Sequence, residues 1–305
     1  MGANDRSYTS GRFAVDVDGF NVGYMKSCSG VGTVDGDIAV NDLGPDKQQK
    51  KHLANWKWAP GKMEVGIGMG KGMYDWIKAS LDNKHIQKNG VVTMADFDHK
   101  AMQSCTWMNG LITEVTCPKL SGDAKDAAYF TIGWEYESAR WAKAGGESIT
   151  AKMGPKQKQW LCSNFSVVIG GLPCARVNTV DSFSWKCTVK SDHVGDKNEY
   201  TLHPMKVTVP DLKLTISSAD KKEWADFAKK WFIDGERKED ADEMTGRIIY
   251  LDPTRKIELG SVELSNVGLK KFSPGDLKGN AEDVSRFTVE LYVEQMQFKI
   301  NTSDA

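Results

Sequence analysis

The chain repeats itself. Phe13-Ala-Val-Asp-Val-Asp-Gly19 returns 152 positions later as Phe165-Ser-Val-Val-Ile-Gly-Gly171. Near the end of each half, Ala124-Lys-Asp126 and Phe130-Thr-Ile132 return as Ala281-Glu-Asp283 and Phe287-Thr-Val289, now 157 positions on. The order of matching segments is kept, and the shift drifts only where loops differ in length. Self-similarity at this period predicts two copies of one domain of roughly 140 residues. The expected division is a first domain over residues 1–141, a linker over 142–159 and a second domain over 160–305. The linker is placed where alternation is lost and Gly, Pro and Lys gather, from Arg140-Trp-Ala-Lys-Ala-Gly-Gly146 to Gly154-Pro-Lys-Gln-Lys158. A duplication of this kind multiplies a surface or a symmetry element more often than an active site.

Each half opens with period-two alternation, Phe13, Val15 and Val17 in one and Phe165, Val167 and Ile169 in the other. Alternation buries one face of an antiparallel strand and leaves the other polar. Further short runs follow at Ile38 to Val40, at Met63, Val65, Ile67 and Met69, and at Phe130, Ile132, Trp134 and Tyr136. Their partners are Trp185 to Val189, then Leu212, Leu214 and Ile216, then Phe287, Val289, Leu291 and Val293. One segment per half changes period. Met73, Trp76, Ile77, Ser80 and Leu81 stand at helical offsets, as do Trp224, Phe227, Ala228, Trp231 and Phe232. That spacing predicts a short amphipathic helix laid on the sheet, with Ser218 to Asp220 supplying the second N-cap. The expected fold is mainly β, with one short helix in each of two tandem sandwich or half-barrel domains.

Charge excludes one class of partner. The formal net charge is −1, with 18 basic against 18 acidic residues up to residue 152 and 22 against 23 after it. Neither half has the basic excess that binds nucleic acid by counterion release. No apolar run approaches a membrane span, and Met1-Gly-Ala-Asn-Asp-Arg6 has neither an apolar signal core nor the Ser or Thr that myristoylation needs at position 6. The six cysteines form no C-x-x-C pair, and Cys28, Cys105 and Cys117 fall opposite Val180, Ser261 and Ser273. Free, buried thiols are expected.

Chemistry is sparse. Val65-Gly-Ile-Gly-Met-Gly-Lys-Gly72 lacks the Ser or Thr a phosphate loop places after its lysine, and its sister segment Leu214-Thr-Ile-Ser-Ser-Ala-Asp220 has no glycine. Its alternate glycines are expected to let another backbone or a bulky side chain approach. The five histidines show no metal-binding spacing. Asp96 and Asp252, which match across the repeat, are expected as turn residues. No catalytic residue, cofactor or metal is nominated.

Two polar arms occupy one topological position, Asp42 to Asn55 and Lys190 to Lys206. They are expected to carry an oligomer interface. The candidates are Asp46, Lys47, Lys50, Lys51 and His52, the neighbouring Trp56 and Trp58, then Asp192, Asp196, Lys197, Glu199 and His203. Trp56 and Trp58, two apart on one strand face, fit either an interface anchor or a sugar platform. A tandem carbohydrate-binding protein is therefore the competing reading from another class.

The Phe-x-Val-x-Val-x-Gly opening and the Ser29-Gly30 turn precede a strand that runs into the polar arm. Next come the helix with Met73-Tyr-Asp-Trp76, an apolar strand ending in Asp, and a closing Phe-Thr-Ile strand. Together they resemble the tail tube protein family of contractile phages and phage-like contractile injection systems. The resemblance implies six such domains in a ring around a channel, rings stacked into a tube, and sheath and baseplate proteins as partners. It also implies DNA or protein cargo passing without specific binding, with no membrane involved. Assembly in the bacterial cytoplasm followed by residence in a virion tail or injection particle is implied as well. Two copies in one chain would let three chains fill six places. A hub or tube-initiating adaptor ring at the baseplate is the alternative within that machine.

Overall fold

The computed structural model describes residues 11–41, 49–150, 160–193, 200–235, 243–275 and 284–301. It is mainly β, with a curled half-barrel sheet and few short helices. The first half runs β1 (Phe13–Val17), β2 (Phe20–Asn21), β3 (Met25–Ser29), β4 (Val34–Asn41), β5 (Lys50–Trp58) and β6 (Gly61–Val65). It continues through α1 (Lys71–Leu81), β7 (Lys88–Ala95), β8 (Ala101–Cys117), β9 (Leu120–Ser121), β10 (Phe130–Glu135) and β11 (Ser138–Lys143). The second half runs β12 (Phe165–Ile169), β13 (Val177–Val180), β14 (Phe183–His193), β15 (Tyr200–Thr208) and β16 (Leu212–Ser217). After α2 (Lys221–Ala228) come β17 (Met244–Leu251), β18 (Glu258–Ser273) and β19 (Arg286–Ile300).

The two halves share a hydrogen-bonded strand order. It is β1-β7-β8-β10-β6-β3 in the first and β12-β17-β18-β19-β16-β13 in the second. β11 continues β10's course along β8, and β19 covers the same length as one strand. Register agrees as well: Thr131 faces Thr116 where Thr288 faces Ser273, and each long strand skips one residue just beyond, at Thr113 and Lys270. Alternation is the cause of the strands. In β10, Phe130, Ile132 and Trp134 are buried between half-buried residues, and β16 buries Leu212, Leu214 and Ile216 in the same way.

Several local expectations change. The strands are not all short: β8 spans 17 residues because its two ends take different neighbours. The strand predicted over Met63 to Met69 stops at Val65, although Ile67 and Met69 stay buried. There the glycine run admits a second backbone: the Gly70 amide donates to the Val22 carbonyl at 2.8 Å, and a Cβ on Gly70 would collide with the Asn21 carbonyl. β11 reaches Lys143, so the stretch placed in a linker begins inside a strand, and 151–159 lie outside the described residues.

Helix α1 buries the predicted Met73, Trp76, Ile77 and Ser80. The second stripe is only partly right. α2 buries Trp224 and Ala228, but Lys229–Asp234 winds on as a π-helical segment. The wider i to i+5 turn breaks the 3.6-residue register, so Trp231 is buried while Phe232 is 39% exposed. The cap also shifts. Ser217 Oγ accepts from Ala219 N at the start of a 3-10 turn, and the Asp220 carboxylate is held instead by Arg176 at 2.9 Å.

Candidate assembly interface

Backbone hydrogen bonding does not respect the boundary between the halves. β14, from the second half, pairs antiparallel with the C-terminal end of β8, in the first, placing Phe183 opposite Cys117, Ser184 opposite Thr116, Trp185 opposite Val115 and Lys186 opposite Glu114. Side chains follow this register. The Thr116 and Ser184 hydroxyls lie 2.7 Å apart, and Lys186 Nζ reaches Glu114 at 3.3 Å. A strand edge that would otherwise leave its N–H and C=O groups unpaired is thereby completed. Phe183, Trp185 and Cys187 are buried on the inner face of β14 while Lys186 and Thr188 point to solvent, which is the alternation that put this segment in a strand.

The same hairpin reaches further. Tyr200 and Leu202 on β15 form a small buried cluster with Leu111 of β8. The Tyr200 hydroxyl accepts from Trp58 N at 3.1 Å, and Leu202 N donates to Glu137 Oε1 at 2.9 Å. Below the hairpin the halves share an aromatic core. Phe130 packs against Trp160, Tyr250 and Phe298 with ring centroids 4.9, 5.7 and 4.9 Å apart. Helix α1 lies on β19, where the Tyr74 hydroxyl donates to the Phe298 carbonyl at 3.2 Å. Burying aromatic rings of this size accounts for much of the cohesion of such a junction.

The first-half hairpin is built alike and placed differently. Among the described residues β4 and β5 pair only with each other, as a two-stranded sheet. Val34, Ile38, Val40 and Leu53 on it are 53, 55, 46 and 60% exposed. Lys50, Lys51 and His52 stand exposed on β5 opposite Asn41, Val40 and Ala39. Trp56 and Trp58 meet edge to face at 5.5 Å, and both are half-buried, with Trp58 tilted over Tyr136 at 6.1 Å. On the second hairpin Asp192 is exposed opposite Thr201, and His203 Nε2 lies 3.3 Å from the Thr201 hydroxyl. Asp46, Lys47, Asp196, Lys197 and Glu199 lie outside the described residues. The described candidates thus lie on two hairpins, which meet where Trp58 N donates to the Tyr200 hydroxyl. The residues that hold the junction, among them Phe183, Trp185, Tyr200 and Leu202, carry the alternation of any strand with one buried face, so the sequence does not set them apart.

All six cysteines carry free thiols. Burial raises Cys117 to about 12, and Cys28 likewise, with Cys105 adding to the latter. Such thiols are poor nucleophiles. Asp96 and Asp252 close equivalent turns, each Oδ1 accepting two backbone amides, from Asp98 and Lys100 in one and from Lys256 and Ile257 in the other. Among the described residues no group of three or more His, Cys, Asp or Glu side chains could hold a metal ion. No helix there is long and apolar enough to cross a membrane.

No protein-family model matches the chain, and no curated protein matches it. Among solved structures it is similar to a chain of the extended sheath-tube complex of the extracellular contractile injection system PVC, at 18% identity and a TM-score of 0.40, covering 47% of this chain and 95% of that one. It is also similar to a chain of the PVC sheath/tube terminator, at 18% identity and 0.40, over 46% of this chain and 99% of that one. A chain of the anti-feeding prophage tube-terminating cap matches at 19% identity and 0.39, over 47% and 96%. At these values the likenesses carry no weight in assigning function.

Proposed function

We propose that the chain is a structural, non-catalytic subunit of a contractile-tail-type tube, with each half filling one place in a six-place ring made by three chains. The family resemblance supplies the kind of assembly. The observation that supports it is the junction between the halves, which is head-to-tail: the second half contributes a hairpin and the first half an open strand edge. A contact that joins unlike surfaces leaves one surface of each kind unused, so it propagates until it closes into a ring or continues as a filament. Matching strand order in the two halves supports reading them as duplicated modules able to make that contact repeatedly.

In this reading sheath and baseplate proteins contact the outer wall, and DNA or protein cargo passes through the channel without a dedicated binding site. The near-zero net charge suits a wall that must not retain its cargo. Sedimentation and negative-stain microscopy of the purified chain test the reading together. Stacked rings whose mass is a multiple of three chains are expected, and isolated threefold rings would move the assignment to an adaptor at the end of the tube. A monomer at every concentration would overturn it.

A further inference from the structure

We propose that β4 of one chain adds to the free edge of β18 in a second copy, in the register that β14 and β8 use within the chain. The proposal rests on the reading of this protein as an assembly subunit and names the surfaces that join.

Equivalent positions follow from register. Val34 opposite Trp58 begins the β4–β5 pairing as Lys186 opposite Thr208 begins that of β14 and β15, and a proline follows two residues later in each case, Pro60 and Pro210. Lys271 stands beside the skipped residue of β18, opposite Glu290, as Glu114 stands on β8 opposite Gly133. Val34 therefore corresponds to Lys186 and Lys271 to Glu114. Beyond Val267, among the described residues, the β17 side of β18 has no strand partner, where β8 at the matching place receives β14.

Exposure separates the two copies of this surface. Two positions covered at the internal junction differ in this way. Phe298 is 4% exposed under α1, whereas Trp141, at the equivalent register position in β11, is 44% exposed. Leu81 on α1 is half-buried over an apolar void that Phe183, Trp185 and Phe298 also line, whereas Phe232, at the same sequence offset but carried round by the π-helical turn, is exposed. The open surfaces group correctly for one contact. Trp141 lies beside the start of β4, its indole N–H donating to the Gly32 carbonyl at 3.3 Å, and α2 packs on β18. One half thus offers a hairpin and an aromatic ring, and the other offers an edge and a helix flank, as within the chain.

Charge agrees, with its sign reversed. Inside the chain the hairpin brings Lys186 and the edge supplies Glu114. Between copies the hairpin would bring Asp35 and Asp37, and the edge Lys270 and Lys271. Opposite polarity at the two junctions favours each hairpin on its own edge and disfavours exchange between them. The expected pair is Val34 with Lys271, which sets Asp35 beside Lys270; the contact starts at Val34, because Gly32 before it lies in a turn and its amide already donates to the Tyr136 hydroxyl at 2.9 Å.

The test is a Val34→Cys, Lys271→Cys double variant of the full chain, oxidised mildly and run without reductant. Linked oligomers are expected, with the 34–271 disulfide identified by peptide mass, while Val284→Cys with Lys271→Cys, made at a site 70% exposed elsewhere, stays unlinked. In parallel, Asp35→Lys with Asp37→Lys should weaken assembly at least tenfold, and adding Lys270→Glu and Lys271→Glu in the same chain should restore it. Particles that assemble without the 34–271 link, or that ignore the charge reversal, overturn this register and leave the assembly reading standing. A chain that never assembles overturns both.

Discussion

Asn109 and Asn266 occupy the same bend of the two long strands, both left-handed at φ 54 and 53, and each donates its amide to a glutamate 28 residues on, Glu137 at 2.6 Å and Glu294 at 2.7 Å. Asparagine tolerates this backbone region and β-branched residues do not. Asn266→Val should therefore cost about 1–2 kcal/mol more than Asn266→Gly, which loses the same side-chain bond without the strain. Denaturant melts of the two variants measure the difference. A second residue-scale expectation concerns pH. Burial raises Cys28, Cys117 and Tyr136 to about 12, and Cys105 and Cys174 to about 11. These groups are neutral when buried, so their folded forms hold the proton more tightly than the unfolded chain does. Their contribution to stability is complete below the ordinary thiol value of 9.0 and is lost as pH rises toward 12. Melting temperature should be level from pH 7 to 8.5 and fall above pH 9. A level profile to pH 11 would contradict the burial of these side chains.

At the scale of elements, the two hairpins are one design in two environments. Trp185 on β14 is 2% exposed against the first half, and Trp185→Ala should destabilise the monomer by about 3–5 kcal/mol. Leu53 on β5 is 60% exposed, and Leu53→Ser should stay within about 0.5 kcal/mol. Equal losses in thermal denaturation would mean that the hairpins are equivalently packed. Much of this layer was legible in the sequence. Period-two runs marked β1, β10, β16 and β19, and the 3.6-residue stripe marked α1, because alternation is a direct consequence of burying one face. Three features were not. The π-helical turn after Ala228 overrides the stripe that Phe232 continues in sequence, and nothing in Lys229-Lys-Trp-Phe-Ile-Asp234 announces it. The pairing of β14 with β8 is made by backbone groups common to every residue, so no side-chain pattern encodes the partner. The buried face of β14 and β15 is apolar like that of other strands, so the sequence does not mark out the residues that meet β8.

At the scale of the whole molecule, one chain holds a junction between its halves, and the proposal is that surfaces left open form a second junction with another copy. Recurring motifs predict a repeat, and the described strands of the two halves follow one order. The sense of the junction was not legible, because it depends on which edge is left open once the strands are paired. If the halves are successive places of a ring, each interface between chains should bury Trp141 and Phe232, and tryptophan emission should shift to shorter wavelength on assembly; Trp141→Phe should remove most of that shift. The most direct measurement is a density map of the assembled particle from electron cryomicroscopy. The account predicts sheets alternating between first and second halves around an axial pore, with β4 hydrogen-bonded to the β18 edge of the next chain. A twofold particle joined through like surfaces, or a closed assembly without a pore, would contradict it.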